Sequence, residues 1–235
     1  MEVPHAKRNW KRRKNLYPQP LRMKKIILLL LFIPLFALGQ VYEWTDENSH
    51  THRIMMDNEY LVETIFETQD GKFLSTRGGY YTKKEGRFNV AFEFNANFAK
   101  DSLKAITLDP TSWEKVAATN ADFDGKFLMA GRVKTEGEQR RDLNRSRKTM
   151  KFLQDGYFQW IAFDTNGLRF IASGGGTYTA SEGAYIETIG FFSRDHSRVG
   201  KVLPFSYTLK GNDWYHQGKS SQGKPMHEIW QKRKK

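Results

Sequence analysis

Gly78–Gly86 reads GGYYTKKEG, and Gly175–Gly183 reads GGTYTASEG. The offset between them is 97 residues (Gly78 to Gly175), and it holds well beyond these nine positions. Tyr60 matches Tyr157, Phe66 matches Phe163, Thr68 matches Thr165 and Phe73 matches Phe170. Beyond the glycines come Tyr81/Tyr178, Thr82/Thr179, Glu85/Glu182, the aromatic pair Phe88/Tyr185, and Phe94/Phe191. Such self-similarity at a fixed offset is the mark of a duplicated structural unit. After Phe94 a gap is needed to align SWEKV (Ser112–Val116) with EIWQK (Glu228–Lys232). The first repeat is therefore shortened, by about one hairpin.

Each repeat is patterned for strands. EYLVETIFET (Glu59–Thr68) and GYFQWIAFDT (Gly156–Thr165) are β-branched and aromatic runs. Turn signals follow at Asp70-Gly71 and Asn166-Gly167, steps that favour tight hairpins. The next run is broken by glycines, which in a strand mark a bulge, a bend or a close backbone approach. Further strand patterns follow in the second repeat: VLPFSYTL, DWYHQG and MHEIWQKR. No stretch reads as a long amphipathic helix. Successive hairpins ending in a closing strand predict an all-β, up-and-down antiparallel meander, closed into a barrel that removes its edges.

The composition fits. Aromatics make up 14% of the chain, while only 39% is hydrophobic, as alternating two-faced strands require. The net charge of +12 gathers at the ends: Lys7, Arg8, Lys11, Arg12, Arg13, Lys14, Arg22, Lys24 and Lys25 at one, Lys232–Lys235 at the other. The globular part is close to neutral, which argues against nucleic acid as a partner. With no cysteine, disulfides, thiolate metal sites and a lipidated N-terminal cysteine are excluded, so a lipoprotein is not expected.

Residues 23–39 have the layout of a secretory signal peptide: Lys24-Lys25, an apolar run from Ile26 to Leu38, and a small-x-small site at Ala37-Leu38-Gly39. The run is short of the ~20 residues that span a bilayer, so no stable transmembrane span is expected after cleavage. Residues 1–22, basic and proline-containing, read as a non-native upstream extension. The mature chain is expected to be exported, to periplasm or medium. It is expected to comprise a shortened first unit (40–121) and a second unit (122–235).

The phrase SRKTMKFLQDGYFQWIAFDTNGLRFIASGGGTYT, followed by FFSRDHSRVG, DWYHQG and HEIW, with FDGKFLMAGR at its head, resembles the lipocalin-like domains of small exported bacterial proteins of unknown function. The resemblance covers residues 122–235 nearly throughout and 41–121 in part. Where lipocalins carry Gly-x-Trp, this chain has Gly125-Lys126-Phe127. The resemblance implies tandem lipocalin-like barrels, the first shortened, and the usual barrel role of holding a small hydrophobic or amphipathic ligand.

Candidate chemistry is sparse. Gly174-Gly175-Gly176 lies within a strand pattern, so a bend is expected there and not a phosphate cradle. Neither the histidines nor the Ser193–Ser197 segment makes a metal site or a triad, so no catalytic residue, metal or cofactor is assigned. Ligand-binding candidates come from strand alternation. Phe158 and Trp160 share one face, and Tyr157, Ile161 and Phe163 the other. Trp214 shares a face with His216, and Glu228 with Trp230. The candidate set is Arg147, Trp160, Tyr178, Glu187, Trp214, His216 and Glu228, with Arg147 drawn from the basic run Arg140–Lys148. Three functions remain open: a non-catalytic carrier of a small apolar or amphipathic molecule, a filled barrel that interacts with an envelope protein or glycan, and an envelope-sugar enzyme built on Glu187 and Glu228.

Overall fold

The alternating strands of the second repeat close on themselves. The computed structural model describes Met1, residues 40–119 and residues 121–234; the expected signal segment and all but the first residue of the upstream extension lie outside these. Seven strands come first: β1 (Gln40–Thr45), β2 (His50–Met56), β3 (Tyr60–Glu67), β4 (Phe73–Lys84), β5 (Arg87–Asn95), β6 (Ala105–Leu108) and β7 (Glu114–Lys115). Then come β8 (Gly125–Lys134), β9 (Gly137–Arg140), β10 (Arg147–Gln154), β11 (Tyr157–Asp164) and β12 (Arg169–Ser181). The last are β13 (Ala184–Phe192), β14 (Val202–Lys210), β15 (Asp213–Lys219) and β16 (Pro225–Lys232). Strands β8, β10, β11, β12, β13, β14, β15 and β16 pair antiparallel in that order, and β16 returns to β8. The protein is all-β, with a closed eight-stranded antiparallel barrel and outer strands beside it.

The outer strands form a meander from β1 to β6, and β7 returns to β1. Following the antiparallel pairings around, β6 and β7 run in the same direction. They are joined only through Asp109–Trp113, and a same-direction pair needs a far longer crossover. In the barrel, β15, which carries Trp214 and His216, stands between β14 and β16.

Register shifts fall between Gly78 and Gly79 in β4 and between Gly175 and Gly176 in β12. A second matched pair of shifts falls at Ile65/Phe66 and Ala162/Phe163. At the far end, Glu85-Gly86 (φ 51° and 79°) and Glu182-Gly183 (φ 51° and 83°) make two-residue turns with both residues left-handed. Asp155-Gly156 does the same between β10 and β11. The Asp70-Gly71 and Asn166-Gly167 steps do not make such turns. Of each pair only the glycine has positive φ, and the links run from Thr68 to Lys72 and from Thr165 to Leu168.

The barrel wall is buried on both sides where the outer sheet covers it. Val41, Met55, Tyr60, Val62 and Phe94 meet Leu128, Met150, Phe152, Ile161 and Phe163 across this junction. The ring contacts are reciprocal under the 97-residue offset. Phe66 packs on Phe191 at 5.4 Å, Phe94 on Phe163 at 5.0 Å, and Phe73 on its own counterpart Phe170 at 5.5 Å. In a two-fold contact, residue i meets j while j meets i, and these pairs have that form. The barrel interior is a separate core, which includes Phe127, Met129, Leu153, Phe158, Tyr185, Trp214 and Trp230.

Candidate functional site

One end of the barrel is plugged by the chain entering β8. Phe123 packs 5.0 Å from Tyr207 and 5.1 Å from Trp214, and Tyr178 donates its hydroxyl hydrogen bond to the Phe123 carbonyl at 2.9 Å. Asp124 accepts from the same hydroxyl. Burial, then the Asp124 carboxylate, pushes the Tyr178 phenol well above its ordinary range. Tyr178 thus belongs to the closed end.

Toward the other end the barrel is hollow. A cavity of about 290 Å³ is walled by Met129, Phe158, Trp160, Ile189, Phe192, Leu203, Phe205, Met226 and Trp230. Polar side chains reach it from Thr149, Lys151, Glu187, His216 and Glu228, with Arg132, Arg141, Ser220 and Ser221 also on its lining. Apolar walls with a few placed polar groups are the usual composition of a small-molecule site.

The β-bulges decide who faces this space. On β13 the register skips Gly190, so Glu187 and Ile189 point inward before it and Phe192 after it, while Phe191 turns to the outer sheet. On β8 it skips Ala130, which brings Arg132 to the cavity after Phe127 and Met129 have faced the core. A bulge re-aims side chains in this way.

Two polar groups sit inside. Lys151 Nζ donates to Glu187 Oε1 at 2.6 Å, and the Tyr185 hydroxyl donates to the same oxygen at 2.9 Å. The ammonium also lies 5.2–5.8 Å from the rings of Phe158, Tyr185, Trp214 and Trp230. Four aromatic faces and one carboxylate thus replace the water it has lost. In the second group, Glu228 Oε2 accepts from Trp230 Nε1 at 3.2 Å, and Arg132 stands 3.7 Å from Oε1. Burial pushes the Glu228 carboxyl up, but His216, Lys151 and Arg132 outweigh it and hold it below the ordinary carboxylate range.

His216 is the outlier. It is 1% exposed, and neither ring nitrogen has a hydrogen-bond partner; Trp214 Nε1 beside it has none either. Glu228 Oε2 is 3.8 Å from Nδ1, too long for a hydrogen bond. Burial, with the Lys151 charge second, lowers the His216 pKa. The unfolded chain therefore binds this proton more readily than the folded one, and stability rises with pH between the folded pKa and about 6.5. The penalty is absent above that range and grows as pH falls through it. Urea melts from pH 7.5 to 5 should show this loss of stability, and His216→Phe should flatten it. An unchanged slope in His216→Phe would assign the loss to other groups. The Glu228 shift adds a separate loss at lower pH, below the ordinary glutamate value.

Of the sequence candidates, Trp160, Glu187, His216 and Glu228 line the cavity. Trp214 lies just behind, its ring 5.0 Å from His216. Tyr178 sits at the plugged end. Arg147 is brought to neither place: it is exposed at the start of β10, opposite Asp164, and borders a separate shallow depression with Lys148 and Arg145. Sequence reasoning missed Arg132, Lys151 and Tyr185, and within the basic run Arg140–Lys148 it chose Arg147 over Arg141. Lys151 left a signal of its own, as a cation between Met150 and Phe152.

Elsewhere, His50 and His52 approach Asp46 at 3.2 and 3.4 Å, and His52 also approaches Glu63 at 3.5 Å. Among the described residues no group of three or more such side chains is arranged to hold a metal ion. No helix among the described residues is long and apolar enough to cross a membrane. In comparisons with known proteins, no family model and no curated protein matches this chain.

Proposed function

We propose that this chain is an exported, non-catalytic binding protein for a small apolar or amphipathic molecule, held inside the second of two tandem lipocalin-like units. The carrying observation is the cavity of about 290 Å³ inside a closed barrel, aromatic-walled and edged by a buried histidine with no partner. Unpaired buried polar groups are rare and costly, and a ligand that pairs with this one removes the cost. The duplication is supported by the matched bulges, the matched Glu-Gly turns and the reciprocal phenylalanine pairs. Export, to periplasm or medium, rests on the sequence of residues 23–39.

A filled, purely structural barrel fits the hollow interior poorly. An envelope-sugar enzyme has Glu187 and Glu228 on one cavity, but a glycosidase needs one carboxyl held protonated. Glu228 is shifted the opposite way, and Glu187 is engaged by Lys151 and Tyr185. Native mass spectrometry of gently purified protein tests the binding reading. The expected result is a small molecule retained at one per chain and lost on denaturation. Protein that carries nothing and accepts no small amphipath from a panel would overturn it.

A further inference from the structure

Arg141 occupies an unusual place. It lies in the link between β9 and β10, half-buried, and its backbone N–H donates to the Ala130 carbonyl at 2.8 Å. The bulge that turns Arg132 inward is thus also the anchor that brings Arg141 to the cavity. Arg132 has Glu228 nearby, and Lys151 has Glu187. Among the described residues no carboxylate makes ion-pair contact with Arg141; Glu228 attracts it only from farther off. It also borders an outer groove with Lys148, Lys232 and Arg233. There Lys148 is spent on the Leu143 and Arg145 carbonyls, and Arg233 on Glu93. Arg141 is the half-buried cation left without an anion in contact.

Desolvation, then the charges of Arg132 and Arg145, lowers the Arg141 pKa against the smaller pull of Glu228, so an anion in contact relieves both burial and repulsion. Deeper in, His216 offers one donor and one acceptor nitrogen, both unused. The volume bounds what lies between. An apolar cavity of about 150 Å³ accepts benzene, so one about twice that size accepts one or two rings.

Resting on the reading of the cavity as a ligand site, we propose that the ligand is a small monoanionic carboxylic acid. Its one- or two-ring body lies against Trp160, Phe192 and Phe205, its carboxylate meets Arg141 at the mouth, and a polar substituent meets His216. One unpaired guanidinium sets one negative charge.

Calorimetric titration with 2-naphthoate and with its neutral analogue 2-naphthalenemethanol tests this. The acid should bind at least about tenfold more tightly, as expected for a charge-assisted hydrogen bond. Arg141→Gln should abolish that preference and leave alcohol binding unchanged. Arg169→Gln, at an exposed arginine paired with Asp164 outside the cavity, should change neither, and circular dichroism checks that each variant folds. Equal binding of acid and alcohol overturns the anionic ligand but leaves the binding reading standing. Binding of neither overturns both. A preference that survives Arg141→Gln overturns the role of Arg141.

Discussion

Lys151→Met lowers stability by about 3–5 kcal/mol, the cost of leaving one member of a buried ion pair alone. Lys151 and Glu187 are 2.6 Å apart, with side chains 5% and 6% exposed. Removing the ammonium leaves the carboxylate with only the Tyr185 hydroxyl in a low-dielectric interior. Lys151→Met combined with Glu187→Gln should recover most of the loss, because the charge is gone while the amide oxygen still accepts from Tyr185. Urea melts with constant m-values measure Lys151→Met, Glu187→Gln and the double variant. A double loss equal to the sum of the two single losses would show that the pair is not coupled. The substitution also has a local readout. Lys151 helps depress the His216 pKa, so Lys151→Met should move the His216 titration, followed by NMR, toward the ordinary histidine value.

Gly176→Ala and Gly79→Ala each cost about 3 kcal/mol, the upper end for forced overpacking. A Cβ on Gly176 would stand 1.9 Å from the Thr188 carbonyl oxygen, and one on Gly79 would stand 1.8 Å from that of Ala91. Both obstacles are backbone on the paired strand, so no rotamer change relieves them. Gly190→Ala is the control: its nearest neighbour would be at 3.4 Å, an ordinary contact, and the cost should stay under about 1 kcal/mol. Thermal melts compare the three. A tolerated Gly176→Ala would mean that the bulge does not bring the strands this close.

These glycines show what the sequence could and could not disclose. The repeat placed both bends correctly, because glycine inside a strand has few other uses. Alternation sorted β11 correctly, with Phe158 and Trp160 inward and Ile161 and Phe163 against the outer sheet. It also paired Trp214 with His216 and Glu228 with Trp230. Simple alternation does not carry past a bulge that reverses parity: Arg132 follows the skipped Ala130, and Phe192 follows the skipped Gly190. Lys151 shares one side of β10 with Arg147 and Thr149, which by alternation reads as a solvent face, yet the Lys151 end of the strand is buried on both sides. Arg147 was drawn from a basic run whose loop geometry the sequence does not encode. The cation that reaches the cavity is Arg141, six residues earlier and anchored by a backbone bond. The sequence predicts a first repeat shorter by about one hairpin; among the described residues only Asp109–Trp113 links β6 to β7, while β14 and β16 of the barrel have β15, the bearer of His216, between them.

A crystal soaked with 4-bromobenzoate puts the hollow barrel to the most direct test. The account predicts an anomalous bromine peak inside the barrel among Trp160, Phe192 and Phe205, with the carboxylate directed to Arg141. Bromine found only on the outer surface, around a barrel closed by its own side chains, would contradict it.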